Sequence, residues 1–143
     1  MSPAILVDLD HTLALPGKRD PWKPELCIHD EVNPAVLSIL KTYEESQYYI
    51  ILITARNQSK SEEATRKWLT KHAIPFDHLY MKQDEVAEGG QTAAEFKRDL
   101  YKSHLSQKYD IHLVLEDDDN LDTLRLWRSL NLPLLPIRLN LDS

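Results

Sequence analysis

A chain of 143 residues holds one domain with a single core and is too short for two ordinary ones. Hydrophobic residues make up 42% and charged residues 28%, a globular balance, and no apolar run approaches the roughly 20 residues that span a membrane. The formal net charge of -6 argues against sequence-blind wrapping of nucleic acid, although a local basic patch would suffice to grip a strand end.

Apolar periodicity alternates along the chain between strand-like and helix-like pieces. Ala4 to Val7 is a continuous apolar run, as expected of a strand buried on both faces. Pro16 to Asp30 carries Pro16, Gly17, Pro21 and Pro24 and reads as loop. Asn33-Pro34 predicts a helix start, with Val36, Leu37, Ile39, Leu40 and Tyr43 as its apolar face. Tyr48 to Ile53 predicts a second strand. Ser59 with Glu62 matches a capping box for a helix that turns Ala64, Trp68 and Leu69 inward. His78 to Met81 predicts a third strand, and Thr92 with Glu95 a second capping box for a helix to about Leu105. Ile111 to Leu115, a helix with Leu121, Leu124, Trp127 and Leu130 inward, and a fifth strand at Leu134 to Ile137 complete the series. The alternation predicts an α/β, Rossmann-like domain over residues 1–143, with a parallel sheet of about five strands and helices on both faces.

Such sheets bind ligands beyond the carboxyl ends of their strands, where strand order reverses. The first strand ends in Asp8-Leu9-Asp10-His11-Thr12, the second in Thr54-Ala55-Arg56, and the fourth in Glu116-Asp117-Asp118-Asp119. Converged acids are costly without a divalent cation, and oxygen-only ligands favour Mg²⁺. With it, Asp8 is a candidate nucleophile towards phosphorus and Asp10 a candidate general acid and base. Thr54 is placed to bond a phosphoryl oxygen. Lys97, rather than Lys102, is the candidate to offset transition-state charge. Taken singly, each feature has a plainer reading: a solvated turn, an acidic helix start, a surface lysine, a loop salt bridge at Arg56. Their order along the chain argues against the first three; at Arg56 a substrate contact and a loop salt bridge both stay open.

That order, with Asp8-Leu-Asp-His-Thr12, Thr54, Lys97 and Glu116-Asp117, resembles the four motifs of the haloacid dehalogenase (HAD) phosphohydrolase superfamily. Within it the chain is most similar to the 3′-phosphatase domain of phage-type polynucleotide kinase-phosphatase. The supporting stretches are Cys27 to Val36, Ala64 to Leu69, Leu79 to Lys82 and Phe96 to Asp117. The resemblance implies Asp8 as nucleophile, Asp10 as general acid and base, and Thr54, Lys97 and Arg56 as phosphate or strand contacts. It implies Mg²⁺ on Asp8, the backbone carbonyl of Asp10, and Asp117, with Asp117 ranked above Glu116. Glu116, Thr12 and Asp118 are expected behind these ligands. His11 stands where many relatives have Gly. Ala93 stands where an acid often orients the lysine, leaving Glu95 or the first-motif acids for that task.

Neither inter-motif segment, about Leu13 to Val32 or Asn57 to Phe96, has room for a substantial cap, and an open site suits a large substrate. Lys18, Arg19, Lys23, Arg56 and Lys82 would draw a phosphodiester backbone. Trp22 either anchors its loop or stacks on a base. The expected function is an Mg²⁺-dependent phosphomonoesterase removing 3′-phosphates from DNA or RNA ends in end repair, with a separate kinase or ligase as partner. A nucleotidase or small-metabolite phosphatase is the alternative, and a non-catalytic scaffold the third reading. The glycines, Gly17, Gly89 and Gly90, allow no phosphate-binding Gly-x-x-x-x-Gly-Lys loop, so kinase activity is not expected. An EF-hand fails because Arg19 stands where the twelfth-position Glu is needed. One cysteine, Cys27, allows no internal disulfide, and no leader pattern opens the chain; both fit a reducing cytoplasmic compartment with no membrane role.

Overall fold

The computed structural model describes residues 1–83 and 90–139. Five parallel strands form one sheet: β1 (Ser2–Val7), β4 (Tyr49–Asn57), β5 (His78–Lys82), β6 (Tyr109–Asp117) and β7 (Leu134–Ile137). Two short strands, β2 (Ala14–Leu15) and β3 (Glu31–Val32), pair antiparallel beside it. The helices are α1 (Pro34–Glu45), α2 (Gln58–Lys71), α3 (Ala93–Leu100) and α4 (Leu121–Ser129).

Sheet order is β5-β4-β1-β6-β7, so β1 is central and the strand order reverses at it. Val7 pairs with Leu52 on one side and Leu115 on the other, so Asp8, Thr54 and Glu116 follow that register within two residues. Side chains alternate across the strand. Ile5 and Val7 pack with Val36 and Leu40 of α1 and Trp68 and Leu69 of α2. Ala4 and Leu6 pack with Phe96 and Leu100 of α3 and Trp127 of α4. Both faces are therefore covered, and the uninterrupted apolar run of β1 follows from that burial.

Asn33 caps α1 through its side chain, accepting from the Ala35 N–H, with Pro34 in the first turn, as expected. The Thr92–Glu95 capping box forms. A π-helical turn, Tyr101–Leu105, prolongs α3 to the expected end. The Ser59–Glu62 box does not form: β4 runs on to Asn57, whose carboxamide oxygen caps α2 through the Lys60 N–H and also accepts from the Ser59 hydroxyl. In α4 the buried positions are Thr123 and Trp127, while Leu121, expected inward, stands exposed at the first helical position.

The expected loop at Pro16 to Asp30 is more ordered than its prolines imply. The β2–β3 pair ties its base, and a 3-10 helix (Pro24–His29) packs on α2. Cys27 is buried there, its Sγ 3.8 Å from the Thr65 hydroxyl, and the Trp68 indole donates to the Asp30 carbonyl at 2.8 Å. The result is a small flap. Residues 84–89 of the second inter-motif segment lie outside the described residues. No helix among the described residues is long and apolar enough to cross a membrane.

Candidate active site

The Asp8 N–H donates to the Leu115 carbonyl at 3.0 Å, continuing the β1–β6 ladder one residue past the strand. Its carboxylate thus leaves the sheet at a fixed height. The chain then turns back through His11, whose φ of 63° lies in the left-handed region. That conformation is what a glycine supplies without strain, so His11 holds it at a cost. His11→Gly is expected to raise stability by roughly 0.5–1 kcal/mol, seen as a higher urea midpoint.

Beyond the strand ends lies a cavity of about 310 Å³ lined by Asp8, Asp10, Thr54, Lys97 and Asp117, among others. Lys97 projects from α3, beside Phe96 and Leu100 that hold the helix to the core, and is 2% exposed. Its Nζ donates to Asp8 Oδ1 at 3.0 Å and to Glu116 Oε1 at 2.9 Å. Thr12 Oγ1 donates to the other Asp8 oxygen at 3.0 Å. Burial pushes the Asp8 carboxyl up to about 7, against the pull of Lys97 and with the push of Glu116. Burial works against the charge on Lys97, yet its two acids outweigh it and hold the ammonium above its ordinary value. The orienting partners of Lys97 are therefore Asp8 and Glu116; Glu95 is occupied in its capping box.

Glu116 is wholly internal. Oε1 also accepts from the Trp127 indole at 3.1 Å, and Oε2 from the Asp117 N–H at 3.1 Å. Asp117 instead reaches the cavity, its carboxyl raised mainly by burial, with the Asp8 charge adding to it. Asp118 does not line the cavity; it accepts from Arg138 at 2.9 Å.

A second network holds Asp10. Arg56 forks onto it, Nη2 to Oδ1 at 2.7 Å and Nε to Oδ2 at 3.1 Å, and Arg19 adds Nη2 to Oδ1 at 3.0 Å. Burial alone would raise the Asp10 carboxyl, but Arg56, then Arg19 and His11, hold it below the usual carboxylate range. Arg56 also donates to the Thr65 hydroxyl at 3.0 Å and to Asp30 at 3.4 Å. Arg19 Nε lies 3.5 Å from the same Asp30 carboxylate. In this geometry Arg56 is engaged internally by Asp10, Asp30 and Thr65, the salt-bridge arrangement that the sequence left open beside a phosphate or strand contact. Thr54 is buried, and its oxygen accepts from the Arg56 N–H at 3.2 Å, leaving its proton to donate.

Sequence reading did not single out Asp30, Thr65 or the Trp127 indole. Asp30 and Thr65 lie within the Cys27 to Val36 and Ala64 to Leu69 stretches that carried the family resemblance, the signal available for each. Trp22 does not anchor its loop: it is 89% exposed. Lys18 and Lys23 are exposed beside it.

A family model described as the polynucleotide kinase PNKP phosphatase domain matches residues 2–139. Chains from two solved structures, of the Pnkp1/Rnl/Hen1 complex and the Pnkp1/Rnl/Hen1 RNA repair complex, match at TM-score 0.86 and 28% identity. They cover 96% of this chain and 46% and 42% of theirs. A protein of Autographa californica nuclear polyhedrosis virus assigned as a bifunctional polynucleotide kinase/RNA ligase is 27% identical over 134 residues, 91% of this chain and 18% of that protein. The class C acid phosphatase of Bacillus anthracis shares the fold at TM-score 0.64 and 22% identity, over 97% of this chain and 68% of its own. The chain thus spans less than half the length of the viral protein and of the repair-complex chains it matches. With the motif acids, lysine and threonine gathered at the switch point of a HAD-type sheet, and the family match covering nearly the whole chain, the protein belongs to the PNKP phosphatase-domain family and is a HAD-type phosphomonoesterase.

Proposed function

We propose that the chain removes 3′-phosphates from polynucleotide ends in an Mg²⁺-dependent reaction through an aspartyl-phosphate at Asp8. The observation that carries this reading is the Asp8 carboxylate, held by Lys97 and Thr12 at the open end of the central strand. In the first step an Asp8 oxygen forms a bond to phosphorus, the bond from phosphorus to the 3′ oxygen breaks, and Asp10 gives that oxygen a proton. In the second, Asp10 takes a proton from water as the water oxygen attacks phosphorus, which releases phosphate and restores Asp8. Lys97 and the Thr54 hydroxyl would steady the equatorial oxygens. Acid work requires a protonated Asp10, so the Arg56 fork must shift when substrate binds; the anionic backbone supplies a competing partner for Arg19 and Arg56.

The donor set suits Mg²⁺. Asp8 and Asp117 face one cavity; burial raises both carboxyls, with Glu116 adding to it at Asp8 and Asp8 adding to it at Asp117, and a cation there would relieve that cost. Among the described residues no group of three His, Cys, Asp or Glu side chains gathers for a metal. Two carboxylates with the Asp10 backbone carbonyl would leave positions for water, as Mg²⁺ prefers. Bound there, the cation would neutralise Asp8 and polarise a phosphoryl oxygen.

The names of the relatives join polynucleotide kinase and RNA ligase to such a domain, which supports work beside kinase and ligase partners in nucleic acid repair. The test is phosphate release with Mg²⁺ from 3′- and 5′-phosphorylated DNA and RNA oligonucleotides beside mononucleotides. Release from 3′-phosphorylated oligonucleotides is expected to dominate. Faster release from mononucleotides would make the protein a nucleotidase, and no release from any substrate would make it a scaffold.

A further inference from the structure

A second cavity, of about 380 Å³, adjoins the first and shares Asp10 and Arg56 with it. Trp22, Pro21 and Pro24 of the flap form one wall, and Asn57, Lys60 and Ser61 at the start of α2 form the other. Trp22 is 89% exposed, whereas Trp68 and Trp127 are fully buried. An indole left in water forgoes a large apolar gain. The flap nonetheless fixes its backbone. The Trp22 N–H donates to the Asp20 carboxylate at 2.9 Å, closing an Asx turn, and prolines stand on both sides. The ring is thus presented with part of the ordering entropy already spent in folding. Lys60, in the first turn of α2, is exposed and lines the same cavity.

We propose that this second cavity is a subsite for the terminal nucleoside of the substrate, in which Trp22 stacks on the nucleobase and Lys60 meets the phosphodiester on its 5′ side. The inference rests on the polynucleotide reading above. A phosphoryl group at Asp8 has its leaving oxygen towards Asp10, and Asp10, with Arg56, lines both cavities. The sugar and base then continue past Asp10 into the space under Trp22. An aromatic face accepts any base, so the subsite favours nucleotide ends without sequence preference.

The test compares Trp22→Ala and Trp22→Phe with the parent on three substrates: a 3′-phosphorylated oligothymidylate, the same strand with an abasic terminal nucleotide, and glycerol 2-phosphate. Trp22→Ala is expected to lower kcat/KM on the intact strand about tenfold, chiefly through KM, and Trp22→Phe to retain most of it. Both variants should match the parent on the two baseless substrates. Because the other two tryptophans are buried, quenching of indole fluorescence by 3′-hydroxyl oligothymidylate should vanish in Trp22→Ala. Equal losses on all three substrates, or an undiminished kcat/KM on the intact strand, would overturn the subsite alone. Turnover of glycerol 2-phosphate with none of the oligonucleotide would overturn the polynucleotide reading, and the subsite with it.

Discussion

Asp8→Asn is expected to lower turnover of a 3′-phosphorylated oligonucleotide by about 10⁴-fold or more, because a carboxamide cannot form the acyl phosphate on which the rest of the cycle depends. The variant should still fold. Burial raises the Asp8 carboxyl from 3.8 to about 7, so between those values the folded chain binds more protons than the unfolded one. Stability therefore falls as pH rises through that window, and an uncharged Asn removes this loss. Thermal unfolding in chelator at pH 8 should show Asp8→Asn melting at or above the parent temperature. A variant that lost activity by unfolding would instead melt lower.

Lys97→Met is the second large effect, and it acts on stability as well as rate. The ammonium lies between Asp8 and Glu116 with 2% exposure. Without it two buried acids are left uncompensated, at about 3–5 kcal/mol. The rate should fall about 10²–10³-fold through lost stabilisation of the transferring group. The two effects separate in Lys97→Met with Glu116→Gln: most of the stability returns, the activity does not. Urea unfolding at pH 8 and pH 5 checks the electrostatic origin, since protonation of the stranded acids should shrink the loss at the lower pH.

Local signals in the sequence carried most of the fold. The apolar run of β1 is buried on both faces, and the Asn33-Pro34 start and the Thr92–Glu95 box act within a few residues, where sequence is informative. The same locality misled at Ser59. Its spacing to Glu62 suits a box, but sheet pairing with β5 carries β4 to Asn57, and the cap moves with it. The loop reading of Pro16 to Asp30 rests on its prolines, Gly17 and few apolar residues, all local signals. What orders it, Cys27 against Thr65 and the Trp68 indole on Asp30, spans 38 residues in each case. At the site, the motif acids, Thr54 and Lys97 were legible because each follows or faces a strand end. The bond from Lys97 to Asp8 crosses 89 residues and that from Arg56 to Asp10 crosses 46, so neither partner choice is written in any local pattern. The left-handed turn at His11 is local but hidden, because the residue that usually marks such a turn is glycine.

Borohydride trapping during turnover tests the central claim most directly. With a 3′-phosphorylated oligonucleotide and Mg²⁺, reduction of an acyl phosphate converts the aspartate that carries it to homoserine. Peptide mass analysis is expected to find homoserine at position 8, dependent on substrate and absent in Asp8→Asn. Steady phosphate release with an unmodified Asp8, or reduction at another carboxylate, would contradict the account.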